Sequence, residues 1–87
     1  MSYNGYANYD TWNVMLWINN TESLYYAKQD YLESCASSGQ NPSYVALIRD
    51  YFGYGAGDTT GDDVSWLADD LDIAELDAIL LDEMKEL

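Results

Sequence analysis

The chain has 87 residues, enough for one domain without the disulfides or metals that smaller domains need. Sixteen Asp and Glu face only three Lys and Arg, and the formal net charge of −13 disfavours nucleic acid and anionic membrane as direct targets. Nine Tyr, three Trp and one Phe supply the apolar area that a disordered acidic chain lacks, so a folded acidic domain over residues 1–87 is expected.

The lead-in, residues 1–9, is rich in Tyr, Asn and Gly, and Asn4-Gly5 is its most favourable bend. Its start, Met1-Ser2-Tyr3-Asn4-Gly5, has neither the basic region nor the apolar run of a signal peptide. With one cysteine, Cys35, there is no internal disulfide framework, and a reducing cytoplasm is the expected setting.

Thr11–Ile18 is the most apolar stretch. Trp12, Val14, Met15, Leu16, Trp17 and Ile18 would point nearly all round a helix, interrupted only by Thr11 and Asn13. Such a segment is buried on most sides and too short to span a bilayer, which makes it the expected centre of the fold. A short apolar run can also be a buried strand, but no second strand-like segment exists to pair with it. Asn8 or Asp10 can cap the helix, and Asn19-Asn20 can close it in a left-handed conformation.

A second helix is expected from a cap at Asn20 or Thr21 to Ser38, ended by Gly39. Leu24, Ala27, Tyr31, Leu32 and Cys35 form its inner side; Glu22, Tyr26, Asp30 and Glu33 its outer side. After Pro42, the spacing of Tyr44, Leu47, Ile48 and Tyr51, flanked by Val45 and Phe52, predicts a third helix over 43–52. Gly53–Gly61 holds four glycines in nine residues and reads as a flexible loop. It lacks the lysine of a phosphate-binding loop, and its acids repel phosphate.

Two further helices are expected after Gly61. Asp62 or Asp63 would cap the first, with Val64, Leu67, Ala68 and Leu71 inward and Trp66 outward between Asp69 and Asp70. Trp66 is then either covered by a neighbouring segment or an exposed interface anchor. Asp72 would cap the second, with Glu75 completing a capping-box pair. Ile73, Leu76, Leu80, Met84 and Leu87 make its inner face, and Glu75, Asp82 and Glu86 the opposite stripe. The expected architecture is all-α, a compact domain of four to five helices with an acidic exterior.

The chemistry of catalysis is sparse. Without histidine there is no ordinary general base near neutrality and no imidazole metal ligand. No serine or threonine has a lysine partner suggested by spacing, and carboxylates on helix exteriors read as a solvated face. Asp58, Asp62 and Asp63 lie near a glycine-rich loop but do not follow the EF-hand order of calcium ligands. No enzymatic activity, cofactor or metal is expected.

The acids carry the functional expectation. Ten of them fall between Asp62 and Glu86, a stretch of roughly 37 Å if fully helical, or about one charge per 4 Å. A DNA strand carries one phosphate per about 3.4 Å of axis. Asp58, Asp62, Asp63, Asp69, Asp70, Glu75, Asp82, Glu83 and Glu86 are the candidate partner-binding residues. The alternative is that they only keep an aromatic-rich protein soluble, but solubility needs a net charge of only about 2–8.

Asn8-Tyr9-Asp10-Thr11-Trp12-Asn13-Val14, with Leu16-Trp17-Ile18, resembles the N-terminal signature of a family of small phage and bacterial proteins. Those read Asn-Tyr-Glu-Thr-Trp-Asn-Val-Ala-Leu-Trp-Ile; Asp10 and Met15 are the departures here. The signature carries no assigned activity. In size and acidity the whole chain is also similar to phage DNA mimics that block restriction enzymes, CRISPR effectors, uracil-DNA glycosylase or nucleoid proteins. That likeness implies an inhibitor acting in the host cytoplasm on a basic nucleic-acid-binding protein or complex, such as a nuclease, restriction enzyme, CRISPR effector or nucleoid protein. The rival expectation is a helical adaptor docking through Trp66, Tyr26, Tyr54 and the Tyr3–Tyr6–Tyr9 row.

Overall fold

The computed structural model describes residues 3–87; Met1 and Ser2 of the lead-in lie outside them. The architecture is all-α, with four helices and no strands among the described residues. Helix α1 covers Tyr9–Asn20, α2 Glu22–Ser38, α3 Tyr44–Ala46 with a π-helical continuation Leu47–Phe52, and α4 Ile73–Lys85. None is long and apolar enough to cross a membrane.

Local chemistry sets most of the boundaries. Asn4 and Gly5 both take positive φ, 50° and 89°, and turn the chain so that Tyr3 and Tyr6 pair antiparallel. Asn8 caps α1, its Oδ1 accepting from the Thr11 backbone N–H at 2.8 Å. Gly39 at φ 72° closes α2, with Gln40 N–H donating to Cys35 O at 3.0 Å. Asp72 caps α4 through the Glu75 N–H. The expected left-handed closure of α1 does not occur: Thr21 is extended (φ −110°), and α2 begins at once.

The core gathers Val14, Met15 and Ile18 of α1, Leu32 of α2, Tyr44, Leu47 and Ile48, and Leu76 and Leu80 of α4. Burial raises the Tyr44 phenol far above its ordinary pKa, and its hydroxyl donates to Trp66 O at 2.8 Å. Lys28 is buried too, paired with Glu83 at 2.6 Å and donating to Asn19 Oδ1 at 2.7 Å, with its ammonium over the Tyr25 ring. Glu83 itself is half-buried, so the cost of breaking the pair falls on the Lys28 ammonium, which would be left buried without its carboxylate.

Several expectations are corrected. Residues 62–71 form turns, not a helix. Thr59 bridges Ser65, Thr60 N–H donates to Val64 O at 2.8 Å, and Trp66 N–H reaches back to Asp58 O at 3.1 Å. Asp63 stands at φ 65°, which no helix start accommodates. The apolar set Val64, Leu67, Ala68 and Leu71 still turns inward, so its spacing reported burial without helicity. Trp66 is covered, at 2% exposure, with Tyr54 stacked on it at 5.4 Å.

Helix α1 buries Val14, Met15 and Ile18 as expected but not its other apolar residues. Its two polar interruptions, Thr11 and Asn13, are wholly buried, whereas Trp12, Leu16 and Trp17 are only half-buried. Leu87, assigned to the inner face of its helix, is exposed because α4 stops at Lys85. Glu75 is half-buried and accepts from Ala7 N–H at 2.9 Å, so the reciprocal half of the capping box is replaced by a contact across the fold.

Candidate functional site

The N-terminal ends of α1 and α4 are stitched together. Asn8 Nδ2 donates to Asp70 O at 2.6 Å, Thr11 Oγ1 accepts from Asp72 N–H at 3.0 Å, and Glu75 holds Ala7. The Asp10 carboxyl meets that of Asp70 here. Partial burial, then hydrogen bonding to Asp70 and its charge, raise the Asp10 pKa.

One turn further along α1, the loop after Gly57 is fastened by a buried polar group. Asn13 Oδ1 accepts from Thr60 Oγ1 at 2.7 Å, and Thr60 Oγ1 in turn accepts from the N–H groups of Asp62 and Val64. Asn13 Nδ2 donates to Asp62 Oδ2 at 2.8 Å, and Trp17 Nε1 donates to the same oxygen at 2.9 Å. These two bonds, Asn13 first, hold the Asp62 carboxyl below the ordinary carboxylate range. Gly61 presses on the edge of the Trp17 ring: a Cβ there would lie 2.2 Å from Cη2.

Leu16, Trp17, Asn20 and Asp62 surround an open hollow of about 340 Å³. Its wall is apolar apart from the Asn20 amide and the Asp62 carboxylate. Trp12 continues the apolar face along α1, one helical turn from Leu16, in ring contact with Tyr3 at 4.9 Å and Tyr9 at 5.5 Å.

The nine acids singled out from the sequence are not brought into one cluster. Asp58 closes its own loop through Gly55 N–H, Asp62 is tied to α1, and Asp63 is exposed. Asp69 and Asp70 are exposed and Glu75 half-buried near the start of α4. Asp82 and Glu86 are exposed towards its other end, a 13-residue helix away, or about 20 Å. Glu83 is committed to Lys28. Among the described residues no group of three or more His, Cys, Asp or Glu is disposed to hold a metal ion.

Asn13, Trp17, Thr60 and Gly61 went unassigned from the sequence. The available signal was Asn13 itself, an amide inside an apolar run that can be buried only with a partner.

A family model matches residues 1–87, the full sequence. The chain belongs to DUF7249, a family of unknown function. Comparisons with curated proteins and with solved structures return no match. In this DUF7249 chain the signature-like residues Asn8, Thr11, Asn13 and Trp17 are joined to positions 60–72 and act as structural fasteners. What they leave facing outward is a carboxylate beside an aromatic wall, an arrangement suited to binding a cation with an apolar stem.

Proposed function

We propose that this protein is a non-enzymatic inhibitor that occupies a basic, nucleic-acid-binding surface of another protein by presenting a phosphate-like density of negative charge. The observation that carries the reading is the imbalance at the surface. Eleven of the sixteen acids are exposed, while one of the three cations, Lys28, is spent internally on Glu83, leaving Arg49 and Lys85. The resulting charge exceeds what solubility requires. The irregular path of residues 62–71 breaks the straight row of charge that a continuous helix would have made. The resemblance to nucleic acid is therefore one of charge density and not of a regular row.

The test is capture on the immobilised protein at low salt, with identification of what elutes. A nucleic-acid-binding protein should be released as salt rises, losing orders of magnitude in affinity between roughly 50 and 200 mM. Duplex DNA should compete for it. Capture that is insensitive to salt and to DNA would overturn the proposal.

A second reading, docking through aromatics, draws support from Tyr26, which is 59% exposed on α2 with Tyr25 edge-on at 5.7 Å. Tyr3 and Tyr9 are exposed as well. Trp66 and Tyr54 drop out of that surface because they pack on each other beneath it. Loss of capture on Tyr26→Ala, with salt dependence weak, would favour this reading.

A further inference from the structure

We infer that the hollow between α1 and the Gly61-Asp62 corner is the seat of an arginine side chain presented by the basic partner. The inference rests on the charge-based reading above and deepens it by naming the group that is gripped. Three observations converge. The hollow, about 340 Å³, is large enough for a guanidinium and its stem. Its wall offers the Leu16 side chain and the Trp17 ring to the methylenes and to the guanidinium plane. At its rim Asp62 Oδ2 is taken by Asn13 and Trp17, while no donor among the described residues reaches Oδ1.

That carboxylate is also preorganised. Two donors from α1 fix its position before any partner arrives, and Gly61 holds the Trp17 ring that supplies one of them. Fixing a binding group in advance lowers the ordering cost of association. Arginine is favoured over lysine because its flat, weakly hydrated head stacks on an indole and still donates to a carboxylate. The Asn20 side chain, which also lines the hollow and donates to Leu16 O at 2.8 Å, leaves its own oxygen for a second N–H. The surrounding charge of −13 supplies the long-range attraction, and the hollow the local fit.

The test uses hexa-arginine and hexa-lysine peptides against the full chain at low salt. The readout is the indole N–H resonance of Trp17 in two-dimensional NMR. Hexa-arginine should shift the Trp17, Leu16 and Asn20 resonances saturably, and hexa-lysine should do so more weakly. Asp62→Asn keeps an oxygen for Asn13 and Trp17 yet should weaken hexa-arginine binding roughly tenfold. Asp82→Asn removes the same charge elsewhere and should weaken it far less. Asn20→Asp gives up the exposed donation to Leu16 O but adds a carboxylate to the hollow; it should tighten binding, and it preserves the test if Asp62→Asn unfolds.

Equal losses in Asp62→Asn and Asp82→Asn, or shifts spread over α4 with none at Trp17, would overturn the arginine seat and leave the charge-based function standing. If neither peptide binds even at low salt, the charge-based function falls with it.

Discussion

The amide of Asn13, wholly buried on α1, and the carboxylate of Asp62, exposed at the corner of a glycine-rich loop, are joined by a 2.8 Å hydrogen bond across 49 positions of sequence. The other end of the same amide holds the Thr60 hydroxyl. One side chain thus satisfies itself in the interior and fixes the corner from within. A loop with four glycines in nine residues would otherwise be free to sample many conformations.

Asn13→Ala should therefore loosen the loop more than the helices. It leaves the buried Thr60 hydroxyl without its acceptor, a cost of about 1–3 kcal/mol. Hydrogen exchange should accelerate at the Thr60, Val64 and Trp66 amides, while the far-UV circular dichroism of α1, α2 and α4 stays near native. Uniform loss of protection across all helices would show that Asn13 supports the core as a whole and not this corner.

The two tryptophans Trp12 and Trp66 should rank opposite to their prominence in the sequence. Trp66 is enclosed, with Tyr54 stacked at 5.4 Å and Phe52 edge-on at 6.1 Å. Trp66→Ala should cost about 3–5 kcal/mol as a core truncation. Trp12, half-buried, rests mainly on Tyr3 and Tyr9, ring contacts of about 0.5–1.5 kcal/mol beyond its smaller covered area. Urea unfolding of both variants checks the order, and a larger loss at Trp12 would contradict the observed packing.

Two carboxylates should respond to pH with opposite sign. The folded state lowers the Asp62 pKa through Asn13 and Trp17, so its contribution is present above the ordinary carboxylate value and is lost as pH falls through the folded one. The folded state raises the Asp10 pKa through partial burial and Asp70, so the fold holds that proton more tightly than the unfolded chain and loses stability as pH rises through the folded value. At neutral pH, Asp62→Asn should lower Tm and Asp10→Asn should leave it unchanged or raise it. Both differences should shrink as pH is lowered through the carboxylate range, in thermal melts from about pH 7 to about pH 3.

Much of the fold was legible because its signals are local. Gly39 ends α2, Asp72 caps α4, Asn4-Gly5 makes the bend, and each does so through its own backbone or its near neighbours. Residues 62–71 were misread for the opposite reason. Their apolar spacing suits a helix, but the Thr60 hydroxyl captures the Asp62 and Val64 amides that would have opened one. The burial of Asn13 and Thr11 on α1 was hidden likewise, since the groups that let them be buried come from Thr60, Asp62 and Asp72. The hollow depends on the same long-range contacts, so no periodicity could announce it. Of the nine candidate acids, the sequence alone did not separate Glu75 and Glu83, which serve the fold, from those facing solvent.

That separation sharpens the charge test. Asp69, Asp70, Asp82 and Glu86 are exposed; position 70 is tied to Asn8 through its backbone oxygen, and its carboxyl meets the like-charged Asp10. Changing all four to Asn or Gln removes four negative charges and takes the net charge from −13 to −9. Relief of like-charge repulsion, including that between Asp70 and Asp10, should leave Tm unchanged or higher. Glu75 stays untouched because it anchors Ala7, and Glu83 because its loss would strand the buried Lys28 ammonium. Glu22, Asp30 and Glu33, exposed on α2, serve as the control set. Partner affinity, measured at one fixed low salt concentration, should fall steeply for the first set and less per charge for the second. Equal loss per charge would mean that only the overall field steers the partner. No loss in either set, with the helical spectrum intact, would move the interface to Tyr26 and its neighbour Tyr25.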